Sequence, residues 1–163
     1  LQKIFQDPNA SAKRHIKEKI ETVFEELTTN ALYHSYRSLG KEKYPRRSPV
    51  TLGHAEQIQI RYGWNREGFL LEVTDRGGSL KFSHIAEAFH RCYSGDEMNK
   101  IEAKESGAGL GFYMVFEVVS HLKVEVRPTE ATKISVWISE KRTSENNFSF
   151  NFFETNPSTG RQP

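Results

Sequence analysis

The sequence predicts an α+β fold, on three observations. Two long segments carry an amphipathic helical period, four short ones alternate as half-buried strands do, and the length suits one domain. At 163 residues, with 36% hydrophobic and 27% charged, the chain has the composition of an ordinary globular protein and can bury a core of its own. Its 23 basic residues stand against 21 acidic ones, and a net charge of +2 makes no electrostatic case for nucleic acid. The basic run from Lys41 to Arg47 reads as a solvated loop. No stretch approaches the roughly 20 apolar residues of a membrane span, and none resembles a signal peptide. The expected location is therefore cytoplasmic, with no membrane and no nucleic acid among the partners. Cys92 is the one cysteine, so no internal disulfide can form, and it reads as a small apolar residue in a reducing compartment. The chain starts at Leu1 without a methionine, which reads as a piece of something longer.

Taken in order, Asp7-Pro8-Asn9 is a turn signal and Ser11 a candidate helix N-cap. Ile16, Ile20, Val23, Phe24, Leu27 and Ala31 then recur at spacings of three and four, predicting a helix to about Tyr36. Residues 38–56 read as a long loop, a length that in a compact domain is usually functional. Gln57 to Tyr62 and Phe69 to Val73 alternate as strands around a turn at Asn65–Gly68, so they form a hairpin. Phe82 to Tyr93 reads as helix, Ser94 to Gly107 as a polar flexible segment, and Leu110 to His121 as a second strong helix. Lys123–Arg127 and Lys133–Ser139 are two further strands divided by a turn near Pro128. Beyond Ser144 the tail is rich in Asn and Ser but holds Phe148, Phe150, Phe152 and Phe153, which read as an extended segment packing on the domain.

Three constellations carry chemistry. Glu26 and Asn30 lie four apart on the long helix and share a face. Asn is a poor helix former, and two polar groups beside an apolar stripe need partners, which a magnesium ion with its waters and phosphates would supply. The plain alternative is a solvent-facing polar stripe. Asp75-Arg76-Gly77-Gly78 follows a strand directly; there a carboxylate can accept from an exocyclic amine, and glycines let a flat ring approach the backbone. The alternative is an ordinary Asp-Gly turn. Ser106-Gly107-Ala108-Gly109-Leu110-Gly111 opens a helix, where free amides and the dipole make an anion site. No Gly-Lys-Ser/Thr follows, so it is no Walker loop, and Phe112 stands where a dinucleotide fingerprint needs its third glycine.

In this order and spacing the three together resemble the nucleotide site of the GHKL (Bergerat-fold) ATPase superfamily, over roughly residues 14 to 140. The stretch Glu26-Leu27-Thr28-Thr29-Asn30-Ala31-Leu32-Tyr33-His34-Ser35 is most similar to the small anti-sigma-factor serine kinases and related bacterial regulators. The resemblance implies a two-layer α/β sandwich, with a mixed, mostly antiparallel sheet covered on one face by helices. It implies a histidine-kinase-like ATPase domain over 10–142, followed by a C-terminal tail over 143–163. ATP and Mg²⁺ are the implied cofactors. Glu26 takes the place of the residue that polarises the attacking hydroxyl or water, Asn30 binds the metal, and Asp75 reads the adenine amine with Gly77 beside the ring. Gly107, Gly109, Leu110 and Gly111 wrap the phosphates, and the lid maps to about 81–106. The implied partner is a sigma-factor regulator or other signalling protein, and pairing with a second copy stays open.

Two departures stand out. The family often has Asp-x-Gly-x-Gly where this chain has Asp75-Arg76-Gly77-Gly78-Ser79, which leaves the adenine contact but changes the turn behind it. There is also little room before the long helix for the strand and helix that often precede it. A protein serine/threonine kinase is the first expectation. The alternatives are the ATP-binding half of a histidine kinase and a nucleotide-dependent binding module without catalysis. His15 has no acidic residue after it and no proline nearby, so it does not read as a phospho-acceptor. His34 reads as structural, and His54, His84, His90 and His121 lack metal-ligand spacing. A gyrase- or MutL-like ATPase would need a transducer domain for which the chain is too short.

Overall fold

The computed structural model of the chain describes residues 2–6, 14–35, 49–93, 110–140 and 148–155. In chain order these form α1 (Gln2–Phe5), α2 (Arg14–Tyr33), a 3-10 turn (His54–Glu56), β1 (Gln59–Trp64), β2 (Gly68–Asp75), α3 (Phe82–Tyr93), α4 (Leu110–Val118), β3 (His121–Arg127), β4 (Ala131–Ser139) and β5 (Ser149–Glu154). The strands make one five-stranded sheet in the order β1-β2-β4-β3-β5. All neighbours are antiparallel except β3 and β5, which run parallel. The fold is thus an α+β sandwich with a mixed, mostly antiparallel sheet, as expected.

Alternation decides which face of the sheet the helices cover. Phe69, Leu71 and Val73 of β2 share a face with Ile134, Val136 and Ile138 of β4 and with Leu122, Val124 and Val126 of β3, and all are buried. The intervening positions form a charged ladder on the other face, where Arg61 pairs with Glu72, and Lys133 with both Glu72 and Glu125. Pairs this exposed contribute little to stability and mainly keep that face wet. The stripe Ile16, Ile20, Val23, Leu27 and Ala31 presses α2 onto β2 and β4. Ile85 and Ala88 anchor α3, and Val115 and Phe116 anchor α4.

Several boundaries differ from the sequence reading. The long helix is expected to reach Tyr36, but it ends at Tyr33, and His34 and Ser35 form a turn. The helix expected over Leu110–His121 stops at Val118, because Ser120 N–H donates to Trp137 O at 2.8 Å and His121 already pairs with Trp137 in the sheet. Phe82–Tyr93 is a helix as expected, and its two core residues tie down a part of the stretch that the resemblance assigns to the lid. The loop expected over 38–56 contains the 3-10 turn, whose Gly53 N–H is capped by Glu56 Oε2 at 2.9 Å. At the N-terminus α1 places Ile4 fully in the core, although four residues carry no readable period. Asp7 to Ser11, the basic run Lys41–Arg47 and the polar segment from Ser94 to Gly107 lie outside the described residues.

β5 lines the outer edge of β3, with Phe150 opposite Leu122 and Phe152 opposite Val124. Its rings and Phe148 meet those of the helices above. Phe89 stacks on Phe116 with ring centroids 3.9 Å apart, Phe150 meets Phe89 at 5.5 Å, and Phe148 meets Phe116 at 5.7 Å. Phe82 of α3 contacts Phe152 edge-on at 5.5 Å. His121 and Ser149 side chains are hydrogen-bonded where the two strands start.

Phe69 is wholly buried in β2 and tilts against Trp64 at 4.6 Å. Phe69→Ala should lower unfolding stability by about 3–5 kcal/mol. Urea denaturation followed by tryptophan fluorescence checks it, and a loss below about 1 kcal/mol would contradict this packing.

Candidate nucleotide site

The site is organised along one side of α2. Glu26 and Asn30, one turn apart and half-buried, face the first turn of α4. A methyl group at Gly111 would overlap Glu26 Oε2 and lie 3.8 Å from Asn30 Nδ2. The contact is with the end of the Glu26 side chain, so glycine at this point leaves that carboxylate the space it occupies. Asn30 Nδ2 is buried and has no hydrogen-bond partner among the described residues. A buried amide left so costs of the order of 1–3 kcal/mol unless something outside the chain satisfies it. Amide oxygen and nitrogen exchange places by rotation about the last side-chain bond, so this position can equally present an acceptor to a hydrated cation.

The second cluster lies at the C-terminal end of the same helix. Asp75 ends β2 and is buried. Its Oδ1 accepts from Gly77 N–H at 2.8 Å and from Gly78 N–H at 3.4 Å, an Asx-type turn. Burial pushes its pKa above the usual carboxylate value. The Gly77 amide, the Ser35 side chain, and the Gly78 and Thr132 backbone oppose that rise by hydrogen bonding. Gly78 takes φ +58°, and its carbonyl accepts from Thr129 N–H at 3.3 Å in the β3–β4 turn. A side chain on Gly78 would strike Arg127 O, so the second consecutive glycine is what lets the Asp75 turn nest against that hairpin. A side chain on Gly77 would strike the Ser35 carbonyl. The resemblance sets Gly77 beside the adenine ring; here its missing side chain makes room for the end of α2. His34 is tied in by its carbonyl, which accepts from Ser79 Oγ at 2.9 Å.

Glu26, Asn30, Asp75, Gly77 and Gly111 are therefore all placed along α2 or against it. Leu110 opens α4 with its backbone, while Gly107 and Gly109 lie outside the described residues. Two polar residues at the site escaped the sequence reading. Thr132 faces Asp75 in register across β2–β4, is 2% exposed, and its Oγ1 has no partner among the described residues. Its signal was available: a threonine in the buried phase of a strand otherwise occupied by Ile134, Val136 and Ile138. Ser35 is 3% exposed, its hydroxyl donates to Ala31 O at 2.5 Å, and its side chain helps lower the pKa of Asp75.

The sequence profile described as histidine kinase-, DNA gyrase B-, and HSP90-like ATPase matches residues 15–142, and the chain belongs to that family. It is thus an ATPase-type, ATP-binding domain of the histidine-kinase-like class. No curated protein and no solved structure matches it. The donor set fits a nucleotide with its metal: a buried amide at Asn30 without a partner among the described residues, a glycine gap at Gly111, and the Asp75 carboxylate beside the Thr132 hydroxyl, which likewise has none among them.

The two glycine contacts predict different outcomes on substitution. Gly77→Ala collides with backbone and should cost about 1–3 kcal/mol of stability. Gly111→Ala collides only with the mobile end of Glu26, and alanine is favoured in a helix by about 1 kcal/mol. It should keep or raise the thermal midpoint while impairing ATP turnover. Thermal unfolding of both variants, paired with an ATPase assay, checks this, and equal destabilisation would contradict the packing described.

Proposed function

We propose that the chain is an ATP·Mg²⁺-dependent regulatory domain acting as a protein serine/threonine kinase of the anti-sigma-factor type in bacterial signalling, with 10–142 as the ATPase domain and the segment after it as a packed tail. The observation that carries the reading is the meeting of Glu26 and Asn30 with Gly111, while Asp75 closes on the far end of the same helix. Residues from separate parts of the sequence thereby line one path whose two ends suit a phosphate group and a base.

On this reading Asn30 holds the metal, which supplies charge neutralisation on the phosphates when bound. Leu110 and Gly111 offer backbone amides at the start of α4, where the helix dipole favours negative charge, and the resemblance assigns Gly107 and Gly109 to the same phosphates. Glu26 accepts the proton of the attacking hydroxyl of a partner protein's serine or threonine. Asp75 accepts a hydrogen bond from the exocyclic amine of adenine. Family membership and the glycine contact at Glu26 support a catalytic part over a purely binding one, since a module that only binds has no need of a base.

Glu26→Gln should leave nucleotide affinity nearly unchanged and lower turnover roughly 10²-fold or more. Asn30→Ala should abolish the magnesium dependence of binding. Isothermal titration with a non-hydrolysable ATP analogue, with and without Mg²⁺, measures both affinities, and turnover equal to the parent in Glu26→Gln would refute the base.

The raised pKa of Asp75 gives a pH signature. The unfolded carboxylate ionises near its ordinary value of 3.8 and the folded one at higher pH, so this group makes folding progressively less favourable as pH rises between the two. An amine donating to the ionised form draws the proton off. Nucleotide binding on the acid side should therefore release a proton from Asp75 and weaken as pH falls through the raised value. Titration in buffers of different ionisation heat detects the release, and Asp75→Asn should bind more weakly and lose that share of it. Identical proton release in parent and variant would sink the assignment.

A further inference from the structure

β5 (Ser149–Glu154) follows the family-matched residues 15–142, so the family profile does not account for this strand. Its backbone alone holds it weakly. Its sheet neighbour among the described residues is β3, the pairing is parallel, and none of its 6 residues is buried. Segments of this kind open at far less than the global unfolding free energy. Its rings, however, reach both helices that start from the nucleotide site. α3 begins at Phe82, shortly after the Asp75 turn, and α4 begins at Leu110, with Gly111 facing Glu26 and Asn30. Phe148, the residue before β5, meets Phe89 of α3 at 5.8 Å and Phe116 of α4 at 5.7 Å between centroids. Phe150 meets Phe89 at 5.5 Å and Phe82 at 6.5 Å, and Phe152 meets Phe82 at 5.5 Å. Phe153 lies on the other face of the strand, exposed beside Lys123.

We propose that β5 is a nucleotide-coupled strap, whose docked rings clamp α3 to α4 and so keep the Asp75 turn and the first turn of α4 at the spacing one nucleotide spans. The proposal rests on the nucleotide site given above. Coupling between two sites through a shared element is reciprocal. A nucleotide that bridges the two helix starts holds the platform of Phe82, Phe89 and Phe116 together, and β5 stays down on it. Release of β5 loosens the same platform and weakens nucleotide binding. The strand is suited to this because its own pairing is marginal, so that a modest bias decides whether it is docked.

The test is amide hydrogen exchange and titration on the full chain, with a non-hydrolysable ATP analogue and Mg²⁺ as the probe. In the parent, saturating nucleotide should slow exchange of the β5 amides roughly tenfold, the size usual for coupled sites, and that of β1, the opposite sheet edge, much less. Phe148→Ala and Phe150→Ala should each weaken nucleotide binding roughly tenfold and speed β5 exchange. Phe148→Leu, which keeps most of the apolar volume, should lose less. Phe153→Ala removes a ring from the other face and should leave affinity unchanged. Exchange is read on the unaltered chain, so the answer does not depend on a variant folding. If the parent binds nucleotide but β5 slows no more than β1, the effect is general stabilisation and the strap is overturned, while the nucleotide site stands. Parental affinity in both Phe148→Ala and Phe150→Ala overturns it equally. If the parent binds no nucleotide, the reading of the site falls, and the proposal with it.

Discussion

The packing of α2 across β2 and β4 is the constraint on which the rest of the site depends. Ile16, Ile20, Val23, Leu27 and Ala31 form an unbroken buried stripe that fixes both the rotation and the axial position of the helix. Each of the larger side chains contributes about 1.5–3 kcal/mol over exposure. A single hydrogen bond at the site contributes only about 0.5–1.5 kcal/mol net. The apolar stripe therefore decides where α2 lies, and the polar residues on its flank follow. That rotation turns Glu26 and Asn30 toward Gly111 and sets Ser35 against Gly77. At Gly77 the contact is with backbone, and a helix held this firmly cannot withdraw from a Cβ there; at Gly111 it is only with the end of the Glu26 side chain.

The sheet contributes the other half of the geometry. β2 lies between β1 and β4, and its register with β4 sets Asp75 opposite Thr132. The β3–β4 turn, with Thr129 at φ 64°, reaches back to meet Gly78. A carboxylate, a hydroxyl and several backbone amides are thus gathered at one end of an otherwise apolar interface. Such a gathering lowers stability unless each group finds a partner. Asn30 and Thr132 each retain an unpartnered buried atom among the described residues, so the chain carries a polar deficit along one path beside α2. A nucleotide spanning that path is the simplest compensation.

Much of this was legible in the sequence, for reasons that also explain what was missed. The pattern of α2 and the alternation in β1 to β4 are periodic over enough residues to betray their buried faces. α1 is too short to show a period, and its single core residue, Ile4, could not be told from a stray surface apolar. β5 was foreshadowed by Phe148, Phe150 and Phe152, but its parallel pairing with β3 depends on a long-range contact that no local pattern encodes. The end of α4 was overrun because Val118 and Val119 continue an apolar run that fits helix and strand equally, and only the bond from Ser120 to Trp137 divides them. At the site, Glu26, Asn30, Asp75 and Gly111 stood in recognisable motifs. Ser35 and Thr132 did not, because their meaning arises only from what lies across from them.

On the proposed reading of Asp75 as the contact to adenine, a site of this kind discriminates rather than merely adheres. Desolvation disfavours its charge, and four separate hydrogen-bonding contributions favour it. Desolvation is the largest of these influences, so the pKa of the carboxyl lies above its ordinary value. A surface carboxylate would stay ionised and hydrated whatever approached it, so exchanging water for an amine would change little. A buried one surrounded by fixed donors has few ways to be satisfied, and a base edge without a donor leaves it charged and incompletely paired. The penalty for the wrong base, more than the gain from the right one, gives such a group its selectivity. On that reading the Asx turn matters as well: with the Gly77 and Gly78 amides held on Oδ1, the carboxylate is not free to turn away from a mismatched ligand.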